Sequence, residues 1–330
     1  MADAGCFAQL WREDLRKAPA HDFCKGKGDT QVKPEAFLVQ LINGLQLGSI
    51  YALIALGYTM VYGIVKLINF AHGDILMVGS YVIMFMMGTV FMVDSVIARV
   101  AAVAAAIIFC VVLGVTIDRV AYKPLRSAPR ISALITAIGV SMALQIIVQL
   151  IFGSAQIKFP QMLPNETLFK IGKKPIKTLA VLTVGVSVVL MIALQLFVQK
   201  TRPGRAMRAV SEDLSAAKLM GINVNNVISL TFAIGCALAA VGSLFYSQKV
   251  GYIKPLTGSL PGLKAFIAAV LGGIGIIPGA VLGGFVIGIL ETFVNYFASE
   301  YVDAVVFGLL VVVLLVRPSG ILGKKTSEKV

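Results

Sequence analysis

The chain has 330 residues, 58% of them hydrophobic and 14% charged, with a formal net charge of +13. A soluble domain carries about 25% charged residues, so this composition excludes a water-soluble globular fold and points to an all-α polytopic membrane protein. Six Lys/Arg balance six Asp/Glu in residues 1–35, so the positive excess belongs to loops of the membrane part, where it suits orientation and anionic-lipid contact rather than nucleic acid.

Residues 1–35 hold the lone Trp, Trp11, and a mixed-charge run. They contain no apolar signal-peptide core and read as a flexible N-terminal extension. Ala36–Val65 is 30 residues without a charge. About 20 helical residues cross a hydrocarbon core of ~30 Å, so this is one long tilted span or a span followed by a broken half-helix. Gly44 and Gly48 form a small-x3-small pair of the kind that lets helices approach closely in lipid. Then KLINFAHGD, Lys66–Asp74, gathers four polar side chains in nine residues. An ionisable residue at a helix centre costs about 2.5–3.5 kcal/mol on insertion scales. The segment is therefore an interface turn or a water-lined break in a substrate pathway. Asn43, Asn69, His72 and Asp74 are the candidate pathway residues on these two segments.

Ile75–Val93 and Val100–Ile117 are the next expected spans, followed by a basic connector, Asp118–Arg130, and a span within Ile131–Ile157. Lys158–Lys177 is a polar loop with five lysines. Thr178–Val198 crosses again.

The longest polar interruption comes next, the loop 200–226, KTRPGRAMRAVSEDLSAAKLMGINVNN. Pro203 and Gly204 can open a short helix there and Gly221 can close it. Met207, Val210, Leu214, Ala217 and Gly221 recur at three- and four-residue spacing and would share one face. Arg208 and Glu212, four apart, can pair for about 0.2–0.5 kcal/mol. The segment is either a solvated loop helix or a helix docked into a cytoplasmic partner, with the small residues Ala216, Ala217 and Gly221 permitting close approach.

A span within Asn226–Gln248 leads to an expected connector, Lys249–Lys264. Ala265–Leu290 is uncharged, but GGIGIIPGAVLGG (272–284) is too rich in Gly and Pro for one straight helix. Such a break at membrane depth is tolerated where protein or water satisfies the freed backbone. Discontinuous helices often line transporter pathways, which adds Gly272, Gly273 and Gly275 to the pathway candidates; close helix packing is the alternative. Tyr301–Val316 is the last span and residues 318–330 form a basic tail. The total is eight or nine spans in a membrane domain over 36–317.

Placing 118–130, 199–225 and the chain from Arg317 onward in the cytoplasm puts 13 Lys/Arg there against about nine outside, with Lys66 unassigned. Nine spans would then leave the N-terminus outside. The chain has two histidines, His21 and His72, and no G-x4-G-K-[ST] phosphate loop, so neither an intramembrane enzyme nor a self-powered pump is supported. Asp74 and Glu291 are the only carboxylates placed to serve an autonomous ion-coupled carrier.

Four blocks, NGLQLGSIYALIALGYTMVYGIVKLINFAHGD (43–74), RVAYKPLRSAPRISALITAIGVS (119–141), RAMRAVSEDLSAAKLMGINVNNVISLTFAIG (205–235) and GLKAFIAAVLGGIGIIPGAVLGG (262–284), resemble the H-type permease of bacterial high-affinity branched-chain amino acid ABC importers. The resemblance runs in order over residues 37–330. It implies an inner-membrane subunit with a cytoplasmic C-terminus that moves Leu, Ile or Val, or in similar permeases urea or short amides. The implied partners are a second, M-type permease, two cytoplasmic ATPase subunits and a periplasmic binding protein. This chain would bind no cofactor of its own, the ATP being used by its partners. Residues 200–226 resemble the coupling loop presented to the ATPases, whose usual form is E-A-A-x3-G. Ala216-Ala217-x3-Gly221 fits, while the Glu is displaced to Glu212. The resemblance thus implies ATPase coupling for Met207, Arg208, Val210, Glu212, Leu214, Ala216, Ala217 and Gly221.

Overall fold

A computed structural model describes residues 34–66, 69–90, 95–126, 128–171, 174–317 and 319–323. The extension over 1–33 and the tail from 324 onward lie outside the described residues. Eleven helices are described: α1 (Pro34–Val65), α2 (His72–Phe85), α3 (Val96–Ile117), α4 (Arg130–Phe152), α5 (Thr178–Lys200), α6 (Arg202–Glu212), α7 (Leu214–Leu219), α8 (Val224–Val250), α9 (Ser259–Gly272), α10 (Ile277–Phe297) and α11 (Val302–Val316). Eight segments are long and apolar enough to cross a membrane, and α9 is a shorter apolar helix. The choice between eight and nine spans turns on the short helix α9.

Hydrogen bonds sort the loops into two ends. At one end, Lys249 Nζ approaches the Asn43 carbonyl at 3.5 Å and Met162 N donates to Gln248 Oε1 at 3.0 Å. There too β1 (Ile157–Lys158) pairs with β4 (Tyr252–Ile253), and β2 (Thr167–Ile171) with β3 (Lys174–Lys177). At the other end, Arg126 bonds Asn225 at 2.6 Å and Ser229 donates to Asp118 at 2.7 Å. The chain after α11 joins this end, with Ile321 N bonding the Leu271 carbonyl at 2.8 Å. Lys66 belongs here as well, close enough to Asp213 to favour its carboxylate form.

These contacts put the start of α1 and the segment after α11 at opposite ends, which requires an odd number of crossings. The ninth crossing is Gly251–Gly272, whose second half is α9. Lys264, expected in a connector, is therefore a buried residue of α9.

Helix α1 is the centre of the bundle. Ile50–Leu56 is buried on every side, as a helix apolar all round must be. It packs mainly on α10, and glycines make that approach close: a methyl group on Gly48 would lie 2.8 Å from the Phe285 Cα, and one on Gly284 2.6 Å from the Ala52 Cα. Gly279 and Gly283, on another face of α10, meet Gly272 and Ala268 of α9. The glycine-rich run thus both breaks the helix and packs closely. Gly273 and Gly275 break the helix at φ +108° and +90°, conformations that suit residues without a Cβ, while the glycines from 279 onward form two packing seams.

Candidate functional site

The segment before α2 is not an interface turn. Asn69, His72 and Asp74 are 3%, 1% and 2% exposed. His72 packs edge-on to the Tyr58 ring at 4.8 Å, between Gly57 and Gly235. Gly235 is the twelfth of the 27 residues of α8, so α2 starts well inside the bundle, preceded by the non-helical residues 69–71. Of these three buried polar residues, Asn69 and Asp74 find side-chain partners, as most buried polar groups do, whereas the His72 ring nitrogens make no hydrogen bond among the described residues. Asn69 Oδ1 accepts from the Tyr122 hydroxyl at 2.7 Å. Asp74 Oδ1 accepts from Gln145 Nε2 at 2.9 Å, and the same amide lies 3.2 Å from Ser259 Oγ and 3.3 Å from Ser141 Oγ. Gln145 thereby ties the otherwise exposed α4 to α2 and α9. Beside it is a cavity of about 210 Å³ bordered by Tyr58, Asp74, Ser141, Gln145 and Ser259.

Asn43 does not join this cluster. It lines a second, larger cavity of about 630 Å³ at the opposite end from 201–223, with Gln46, Lys249, Glu291 and Asp303. Next to that cavity, Lys264 Nζ lies 2.8 Å from Glu291 Oε1 and 2.8 Å from Asp303 Oδ1, and Tyr51 donates to Glu291 Oε2 at 2.8 Å. This triad was not read from the sequence. Its signal was a single lysine inside the apolar run LPGLKAFIAAV. Gly272, Gly273 and Gly275 sit apart from both cavities, at the break between α9 and α10, where Gly320 and Gly323 approach Gly273.

The loop 200–226 forms two helices, not one. Thr201 caps α6 by accepting from Gly204 N, and Asp213 caps α7 by accepting from Ser215 N and Ala216 N at 2.7 and 3.0 Å. Those two N–H groups hold the Asp213 carboxyl below its ordinary pKa. The expected common face divides at this joint. Met207, Val210 and Ala217 are buried in the chain's own core, whereas Leu214 and Gly221 are exposed. Gly221, at φ +78°, ends α7: Ile222 N bonds the Ala217 carbonyl and Gly221 N that of Lys218. This is the left-handed helix stop that glycine favours, so its small size serves the turn. Arg208 does not form the expected pair with Glu212 among the described residues; it donates to the Gln199 carbonyl at 3.1 Å. Glu212 and Ala216 are exposed. Within this loop the strongest apolar exposure lies just beyond the expected face, at Leu219 and Met220, 89% and 81% exposed.

A family model described as "Branched-chain amino acid transport system / permease component" matches residues 40–314. The chain is 48% identical to the high-affinity branched-chain amino acid transport system permease protein BraD of Pseudomonas aeruginosa, over 89% of this chain and 98% of that one. It is 46% identical to the corresponding permease LivH of Escherichia coli, over 89% and 98%. A probable branched-chain amino acid transport permease, LivH of Methanocaldococcus jannaschii, is 31% identical over 83% and 89%. With most of its length matched by the model and by these relatives, the chain belongs to the family of permease components of branched-chain amino acid transport systems.

Proposed function

We propose that this chain is the membrane permease of an ABC importer for leucine, isoleucine and valine, driven by ATPase subunits on separate chains. The observation that carries the reading is the 48% identity to a branched-chain amino acid permease along 98% of that relative. The structure supports a powered conduit over an ion-coupled carrier. Both candidate carboxylates are already engaged, Asp74 by Gln145 and Glu291 by Lys264 and Tyr51, so neither is a free ion or proton site.

The 201–223 end faces the cytoplasm in this reading. Lys66 joins the 13 Lys/Arg assigned to that side, and Lys264 leaves the other side for the bundle interior, which sharpens the positive-inside bias. The start of α1 is then external and the segment after α11 cytoplasmic. The ATPases dock on the exposed side of α6–α7, with Leu214, Leu219 and Met220 as apolar contacts and Arg205, Arg208 and Glu212 around them. Met207, Val210 and Ala217 transmit the push by anchoring these helices to the membrane core. A second permease and an external binding protein complete the assembly.

The reading is tested by reconstituting the co-purified complex in liposomes and comparing ATP-dependent uptake of labelled L-leucine and labelled urea in the presence of the binding protein. Leucine uptake alone supports it. Urea uptake without leucine uptake, or leucine uptake driven by an ion gradient in the absence of ATP, refutes it.

A further inference from the structure

The 630 Å³ cavity at the external end is walled by charge of both signs and by aliphatic side chains. Lys249 Nζ reaches it from the last turn of α8. Its one hydrogen bond is a long 3.5 Å contact with the Asn43 carbonyl, and it forms no ion pair among the described residues. Glu291 acts on this ammonium from beyond ion-pair distance, which offsets its partial burial only in part, and an incoming carboxylate in direct contact would relieve the remaining cost. The opposite character is close by. Glu291 and Asp303 line the same cavity, and two carboxylates share one lysine, Lys264, which leaves that wall with excess negative charge. Asn165 Oδ1, on the segment leading to the β2–β3 hairpin, is buried without a hydrogen-bond partner and belongs to the same lining. Between these groups lie Ile42, Leu47, Ile176 and Leu179.

We infer that this cavity is a vestibule site for a free α-amino acid zwitterion with an aliphatic side chain. The carboxylate faces Lys249, the ammonium faces Asp303, the carboxylate left in surplus beside the Lys264–Glu291 pair, and the Asn165 oxygen, and the side chain rests on the aliphatic wall. The inference rests on the proposed branched-chain transport and adds a receiving site within this one subunit, separate from the Asp74 cluster deeper in the bundle.

Equilibrium binding of labelled L-leucine to the whole complex in nanodiscs, without binding protein or ATP, tests it. Saturable binding is expected. It should resist competition by isoamylamine, which lacks the carboxylate, and by 4-methylpentanoate, which lacks the ammonium. Lys249→Gln should weaken it by about ten- to a hundredfold, the effect of losing a charge-assisted hydrogen bond. Should that variant fail to assemble, Val302→Trp, which fills the cavity from its lining, decides in its place and should abolish binding. Leucine uptake by the wild-type complex with no saturable binding, or with binding unchanged in these variants, overturns the vestibule and leaves the transport function standing. Absence of leucine uptake by the wild-type complex overturns the transport reading and the vestibule with it.

Discussion

The Tyr122 hydroxyl donates a 2.7 Å hydrogen bond to Asn69 Oδ1, with both residues buried. It joins the helical continuation of α3 over Asp118–Tyr122 to Asn69, just ahead of α2. Removing the donor leaves the Asn69 oxygen buried and unpaired, which costs about 1–3 kcal/mol. Tyr122→Phe is therefore expected to lower the unfolding midpoint of the purified protein in detergent, while Tyr62→Phe, on a residue outside this bond, should not.

The Lys264 triad gives a sharper energetic signature. Breaking a buried pair by deleting one partner costs about 3–5 kcal/mol, because a charge is left stranded. Lys264 and Glu291 are 8% and 15% exposed at the side chain, so Lys264→Met and Glu291→Gln should each destabilise strongly. The double variant should cost much less than the two combined. Asp303, at 55%, is exposed enough that Asp303→Asn should cost under about 1 kcal/mol. A double-mutant cycle on unfolding free energy reads all three.

The α1–α10 seam depends on the absence of side chains. Gly48→Val would push a methyl group into Phe285 and force α10 outward, an overpacking cost of about 1–3 kcal/mol or more. Gly139 and Gly185 face open space, so the same substitution there should leave the yield of folded protein unchanged. Size-exclusion profiles of the three variants compare them directly.

Helix α7 should be acid-sensitive. The Ala216 and Ser215 N–H groups lower the Asp213 pKa in the folded state. The resulting stability is fully present above the ordinary carboxylate value of about 3.9 and is lost as pH falls through the lower folded value. Protection factors of the Leu214–Leu219 amides, corrected for intrinsic exchange, should drop across that window. Asp213→Asn should remove the pH dependence.

The fold was legible in the sequence where a single local rule applied. Most of the long uncharged runs became candidate spans, and the three-residue spacing of Met207 and Val210 placed them on one shared face. Legibility failed where the deciding partner lay far along the chain. Lys264 interrupts an apolar run and so reads as the edge of a connector, but its cost is offset by Glu291 and Asp303. The depth of His72 depends on Gly57 and Gly235, which no local pattern links to it. Leu214 leaves the face shared by Met207 and Val210 because the Asp213 cap starts a new helix there and resets the helical phase. Gly221 was read for its size, whereas its positive φ is what the site uses.

The central claim is that a conduit without its own energy source is driven through the exposed side of α6–α7. Its most direct test is ATP-driven accumulation of labelled leucine in liposomes holding the whole complex, wild type against Leu219→Glu, with ATP supplied on the side carrying residues 201–223. The account predicts accumulation by the wild type, and its loss in the variant while the variant still folds and inserts. Equal accumulation by both, or accumulation only when ATP is placed on the other side, would contradict it.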